Sequence, residues 1–216
     1  MKKQNLFLIA LFLAASTSAF SQNLSLGVRG GLNVSTISGD PNPNANVNTR
    51  KSQSPKIGFN FGVYALHQLN DKMAIQAELF YSREGFKGSE SYEGVTDFTQ
   101  KFSFLSLPIF FKYNFAKHFY VMGGPQFSYL LAAKSKYISY DRPGHIYNEG
   151  TSDLSDQMNK LGFGLTPVVG YDFKKFSFGI RYYAGLTQLF KSEYDAKIKS
   201  QVFSVVVSYK VFNAKQ

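Results

Sequence analysis

Arg29, Glu78, Lys112 and Arg181 are the charged residues whose spacing most suggests a shared site. Each lies on the polar face of a stretch in which apolar and polar residues alternate, and Arg29, Glu78 and Arg181 fall at similar heights along their stretches. In a closed interior an unpaired charge costs several kcal/mol, so Glu78 is expected to accept from at least one of the bases. Such a network would fix a wall of strands; an ion path or a binding site is the alternative use of the same charges.

Patterns for catalysis are thin. The three histidines, His67, His118 and His145, fall in separate connections, and no HExxH, paired Cys/His or GxSxG pattern occurs. Only the stretch holding Asp141, His145, Ser152 and Asp153 collects acid, base and nucleophile types, as an acyl-transfer or hydrolytic site would need. Any polar loop of that length contains such residues, so no catalytic residue is assigned. The glycines alternate along strands and open no helix, which argues against a phosphate cradle, and no cofactor or metal is expected.

The elements that would position these charges are read from period-two alternation, which occurs eight times. Leu24 to Val34 places Leu26, Val28 and Leu32 on one face and Arg29 and Asn33 on the other. The further stretches are Lys56 to Leu66, Met73 to Glu84, Gln100 to Phe115, Phe119 to Leu131, Lys160 to Asp172, Lys175 to Thr187 and Gln201 to Phe212. Pro125 is the weak point of the fifth, because proline has no N–H for a strand ladder. Short connections (69–72, 116–118, 173–174) alternate with long polar ones (Ser35 to Pro55, Gly85 to Thr99, Ala132 to Asn159, Gln188 to Ser200), and within the third of these Tyr137 to Tyr147, with Ile138, Tyr140 and Ile146, alternates enough to extend a hairpin above the membrane. An antiparallel meander of this kind puts every short turn at one end, as transmembrane barrels do with periplasmic turns and extracellular loops.

The second face decides between a soluble calyx and a membrane barrel. A soluble calyx needs an apolar interior, whereas this face carries Arg29, Gln76, Glu78, Lys112, Asp172, Arg181 and Lys210 among many glycines. Large aromatics turned inward would crowd an eight-stranded interior, so the aromatics are assigned to lipid. Tyr113, Tyr171 and Tyr209 would then join one interfacial girdle near the short turns, and Tyr81 and Tyr129 the other. The fold class expected is an all-β, eight-stranded antiparallel up-and-down transmembrane barrel, closed by pairing of the last strand with the first.

Residues 1–21 read as a signal peptide: Lys2 and Lys3, an apolar run from Leu6 to Ala15, then small residues, with cleavage between Ser21 and Gln22. The run is shorter than the roughly 20 residues of a spanning helix. The barrel domain is therefore expected over 22–216. Cysteine is absent, which excludes disulfides and thiolate metal sites. The net charge is +10; taking Lys2 and Lys3 from the 24 basic residues leaves 22 against 14 acidic ones, or +8. These charges are scattered without runs, which suits lipid headgroups or a solvated surface better than nucleic acid.

Four segments carry a family likeness: the Gly-rich first strand Leu26-Gly27-Val28-Arg29-Gly30-Gly31-Leu32-Asn33, Leu107-Pro108-Ile109-Phe110-Phe111-Lys112-Tyr113, the Gly123-Gly124-Pro125 step, and the alternating last strand. With them the chain resembles the small outer-membrane β-barrel proteins of Bacteroidetes-type bacteria, often called porin-like or PorT-like, over nearly all of its mature length. One departure is that such barrels commonly finish on an aromatic residue, whereas Asn213-Ala214-Lys215-Gln216 follows Phe212. The resemblance implies an outer-membrane location, with lipid, lipopolysaccharide and the barrel insertion machinery as partners. It implies location and shape and little about activity, although some members serve in secretion or as surface proteins. With no catalytic pattern in the residues, the role expected is non-enzymatic, through protein contacts at surface loops or periplasmic turns, in envelope integrity or in a secretion assembly. A small-solute channel or a lipid-modifying enzyme is the alternative.

Overall fold

The computed structural model describes residues 23–39, 52–91, 95–142, 145–191 and 198–213. The expected leader, the stretch around Pro41 and Pro43, and residues 214–216 lie outside the described residues. Eleven β-strands follow one another: β1 (Leu24–Ser38), β2 (Ser52–Gln68), β3 (Met73–Ser91), β4 (Val95–Asn114), β5 (Phe119–Gly123), β6 (Pro125–Arg142), β7 (His145–Asp153), β8 (Leu161–Leu165), β9 (Val168–Phe173), β10 (Phe176–Gly185) and β11 (Lys199–Asn213). All described pairings are antiparallel.

Ten of the eleven strands make a ring of eight walls, and β7 pairs with β6 above it. β1 to β4 are the first four, β5 and β6 together the fifth, β8 and β9 the sixth, and β10 and β11 the last two. β11 pairs with β1 from Ser38↔Lys199 down to Ser25↔Asn213, so the wall closes and no edge faces hydrocarbon. The fifth and sixth walls break at the same height. β5 pairs with β9 below the break and β6 with β8 above it. Pro125 and Pro167 have no N–H to give, and Thr166 N–H donates to the Gly124 carbonyl across the gap at 3.0 Å. A Cβ on Gly124 would strike the Ile109 carbonyl oxygen of β4. The backbones approach there so closely that only glycine fits.

The strands run beyond the stretches expected from alternation. β3 and β4 stay paired as far as Ser91↔Val95, inside the expected polar loop Gly85 to Thr99, and β6 and β7 form a hairpin inside the expected loop Ala132 to Asn159. The physical reason is that an apolar face reports immersion in lipid. Strand pairing itself persists in water with polar residues on both faces.

The outward rows are apolar all round. Phe59, Ile109 and Phe178 are 41%, 44% and 47% exposed, while Arg29 and Glu78 are 4% and 2% exposed. A continuous apolar belt of this extent is not a water-facing surface.

The assignment of all large aromatics to lipid is corrected by the structure. Phe80, Phe86, Phe102, Phe104, Phe110, Tyr64, Tyr120 and Tyr183 are buried inside. The interior accommodates them because glycines stand opposite. Gly27↔Tyr64, Gly62↔Phe80 and Tyr120↔Gly170 are direct cross-strand pairs, and a Cβ on each of these glycines would collide with its partner's side chain. The glycines are sockets for rings, and ring plus socket fills a narrow lumen.

Candidate functional site

The charged layer lies across the middle of the lumen. β1, β3 and β10 bring Arg29, Glu78 and Arg181 to one height because each residue sits on the inward register of its strand. Arg29 Nη1 donates to Glu78 Oε2 at 2.6 Å, and Arg181 donates from Nη1 to Oε2 and from Nη2 to Oε1 at 3.0 Å each. Gln76 Nε2 adds a donor to Glu78 Oε1 at 2.7 Å, and Arg29 Nη2 reaches Asn60 Oδ1 at 2.6 Å. The Arg29 guanidinium lies 4.1 Å from the Phe80 ring centroid and that of Arg181 5.0 Å from Phe110. One carboxylate thus answers two guanidinium ions, with aromatic faces supplying further negative potential. The Nε atoms of both arginines are buried and make no hydrogen bond.

Above this layer, toward the long connections, polar groups give way to apolar ones. Asn60 Nδ2 donates to Asn33 Oδ1, which also accepts from Ser204 Oγ at 2.9 Å, and Asn33 Nδ2 donates to Ser82 Oγ at 2.8 Å. Glu84 is buried and accepts from Ser82 Oγ at 2.9 Å and Ser200 Oγ at 3.2 Å. Ile37, Phe86, Phe102, Phe104, Met158 and Phe190 then form an apolar cap across the mouth. The Met158 and Phe190 segments join by a β-bridge, so the long connections fold over the opening.

Below the layer, toward the short turns, the lumen opens into a cavity of about 80 Å³ lined in part by Glu78, Lys112, Asp172, Arg181 and Lys210. Lys112 Nζ donates to Asp172 Oδ2 at 2.6 Å and lies 3.9 Å from the Tyr120 ring centroid. Of the four charges singled out from sequence, the fold therefore gathers Arg29, Glu78 and Arg181, and places Lys112 one level lower against Asp172. Asn60, Ser82 and Glu84 belong to the same network but stood out by no motif. Their signal is parity: Ser82 and Glu84 share the inward face of β3 with Glu78.

The tyrosines behave as an outward set. Tyr113, Tyr129 and Tyr209 are exposed on the outer wall. Tyr171 packs against Phe119 with centroids 4.9 Å apart, and Tyr209 against Phe176 at 5.1 Å, near the short turns. Tyr81 stacks among Phe59 and Phe61 farther up the wall.

The acid, base and nucleophile types of the fifth-to-sixth connection do not converge. His145 and Ser152 lie on one extended strand, β7, at an order of 3.3 Å per residue, which separates them by roughly 23 Å. The side chain of Asp141 lies outside the described residues. Among the described residues no group of three or more His, Cys, Asp or Glu could hold a metal ion.

A closed ring with a charged, filled inside and an apolar outside is the arrangement of a membrane-spanning barrel, and the model of the outer membrane protein beta-barrel domain matches residues 20–191. The chain belongs to that family. It is an outer-membrane protein of the Gram-negative envelope. In this family's setting short turns face the periplasm and long loops the exterior. The chain is similar to the crystal structure of Ail, the attachment invasion locus protein of Yersinia pestis, at 12% identity over 88% of this chain and 99% of that one, with a TM-score of 0.46. Neisserial surface protein A gives 14% identity, 87% and 98% coverage and a TM-score of 0.49. The outer membrane protein OprG from Pseudomonas aeruginosa gives 11% identity, 88% and 96% coverage and a TM-score of 0.42. No curated protein sequence matches the chain.

Proposed function

We propose that this barrel is a non-enzymatic surface protein that makes protein contacts through the sheet extending above its wall. The observation that carries this reading is the position of β7. Among the described residues it stands at the end of the strand order with β6 as its one neighbour, which leaves its far edge to a strand of a partner. Eight of its nine residues are exposed, among them Ile146 at 52% and Tyr147 at 77%. A partner adding a strand here would gain main-chain hydrogen bonds and two apolar side chains. The interior argues against transport as the main role. The cap, the Glu84 layer and the arginine–glutamate layer fill the lumen in succession, and a filled lumen gives no stable conductance.

Within this reading the chain is exported with removal of 1–21, inserted by the barrel machinery and held against lipopolysaccharide, with its tyrosines at the two interfaces. It sits in the porin-like branch of Bacteroidetes-type bacteria. The chain has no cysteine, so a single introduced thiol is a clean probe. Thr151→Cys on β7 is expected to give crosslinked adducts on intact cells, and Lys117→Cys in a short turn is expected to give none of them. Equal adducts from both sites, or single-channel recordings with a steady conductance, would overturn the proposal.

A further inference from the structure

Lys175 and Lys210 meet on the periplasmic rim. Phe176 pairs with Tyr209, and the next pair downward is held by the Lys210 N–H donating to the Lys175 carbonyl at 2.8 Å. Like charges directly opposite on adjacent strands repel and destabilise a sheet. Both residues line the same 80 Å³ cavity, so their charges bear on one enclosed space.

The rest of that cavity increases the imbalance. Its lining holds five basic residues and two acidic ones. Asp172 is taken by Lys112 at 2.6 Å. Glu78 is shared between Arg29 and Arg181, so neither carboxylate is left for the rim lysines. Arg181 lines the cavity from above and is 4% exposed, with both Nη atoms held by Glu78, so it adds positive charge to the space rather than a donor. A positive, partly enclosed space is a site for an anion, because low-dielectric walls strengthen its attraction.

We propose that the periplasmic vestibule binds an oxyanion of the phosphate class between Lys175 and Lys210, under the positive charge of Arg181. The volume suits it: one water needs roughly 10–15 Å³ of such space, so about 80 Å³ has room for a tetrahedral oxyanion. The charged layer above blocks further travel, so the vestibule binds the anion without passing it on. The phosphate can come free from the periplasm or from an inner-leaflet lipid headgroup. The rim lies level with Phe173, Phe176 and Tyr209, whose exposed rings face the lipid.

The test is calorimetric titration of inorganic phosphate into the folded full-length mature barrel in maltoside micelles, at constant ionic strength with chloride. Saturable binding is expected, weakened at least tenfold in the Lys175→Gln/Lys210→Gln variant and unchanged in Lys136→Gln, whose side chain is on the extracellular sheet. Heat-modifiable gel migration confirms that each variant is folded. Repeating the titration in phosphatidylglycerol nanodiscs separates the sources: binding persists for a free-phosphate site and disappears where a headgroup already fills it. No saturable binding in maltoside, or equal affinity in the rim double variant, overturns the proposal.

Discussion

Arg181 grips Glu78 with both ends of its guanidinium, Nη1 to Oε2 and Nη2 to Oε1 at 3.0 Å each, across 103 residues of sequence. Arg29 closes on the same carboxylate from the opposite side of the chain's closure seam, at 2.6 Å. Glu78 is therefore the one acidic group between two buried cations, and the layer is most sensitive at that residue.

Glu78→Gln leaves Arg29 and Arg181 buried without a counter-charge. The expected loss is about 3–5 kcal/mol, the usual result of removing one partner from a buried pair. Urea titration of the folded barrel in micelles measures it. The triple replacement Arg29→Met/Glu78→Leu/Arg181→Met should recover most of the loss, since apolar groups of similar volume can substitute for a whole buried network.

Asp172→Asn is expected to cost less, on the order of 1 kcal/mol. Its side chain is 37% exposed at the vestibule, so water can take over the solvation of Lys112. The same urea titration, run beside Glu78→Gln, should rank the two variants in that order. A reversed ranking would show that the vestibule is drier than its open end suggests.

Gly62→Val tests the socket arrangement. Its side chain would be driven into the Leu79 carbonyl and Phe80, whose ring underlies the Arg29 guanidinium. Overpacking of this kind costs about 1–3 kcal/mol. Phe80→Ala keeps the Leu79 carbonyl and the Phe80 Cβ and Cα that the new side chain meets, so the paired variant is expected to remain destabilised, read as loss of the heat-resistant folded band. Full recovery of that band by Phe80→Ala would refute the close approach of the two backbones at this glycine.

Val205→Arg tests the outer face. Val205 lies mid-way along β11, 52% exposed, paired with Leu32 and Ile180. An arginine at the mid-plane of a bilayer costs about 2–4 kcal/mol. Folding yield into vesicles should fall accordingly, while Val205→Leu at the same outward position should leave insertion nearly intact.

The sequence carried the outward half of this molecule well and the inward half poorly. Outward residues such as Leu32, Ile109 and Phe178 repeat every second position, and lipid imposes the same demand on each of them, so local pattern suffices. The inward residues answer to neighbours that are remote in sequence. Phe80, Phe102, Phe104 and Phe110 share parity with charged Glu78 and Lys112, and the charges drew the whole face to be read as polar. That Phe80 fits inside depends on Gly62 standing opposite, which is a matter of register between strands. Lys112 shows the same limit: nothing near it in the chain indicates Asp172, 60 residues on. The hairpin of β6 and β7 was legible in its tip, where Ile138, Tyr140 and Ile146 alternate and Tyr140 pairs with Ile146, but not over its full length. Above the membrane neither face has to be greasy, and the alternation that marks a spanning strand fades where the bilayer ends.

The ladder joining β1 to β11 also sets when the molecule can come into being. Leu24 and Asn213 belong to the two strands that seal the cylinder, so the earliest and latest stretches of the described chain must meet before either is protected. A polypeptide halted during export has no lesser ring to settle into. Clipping away the final strand would unzip both of its neighbours and expose open backbone along the whole height of the wall, giving the cell a simple chemical mark of an unfinished copy.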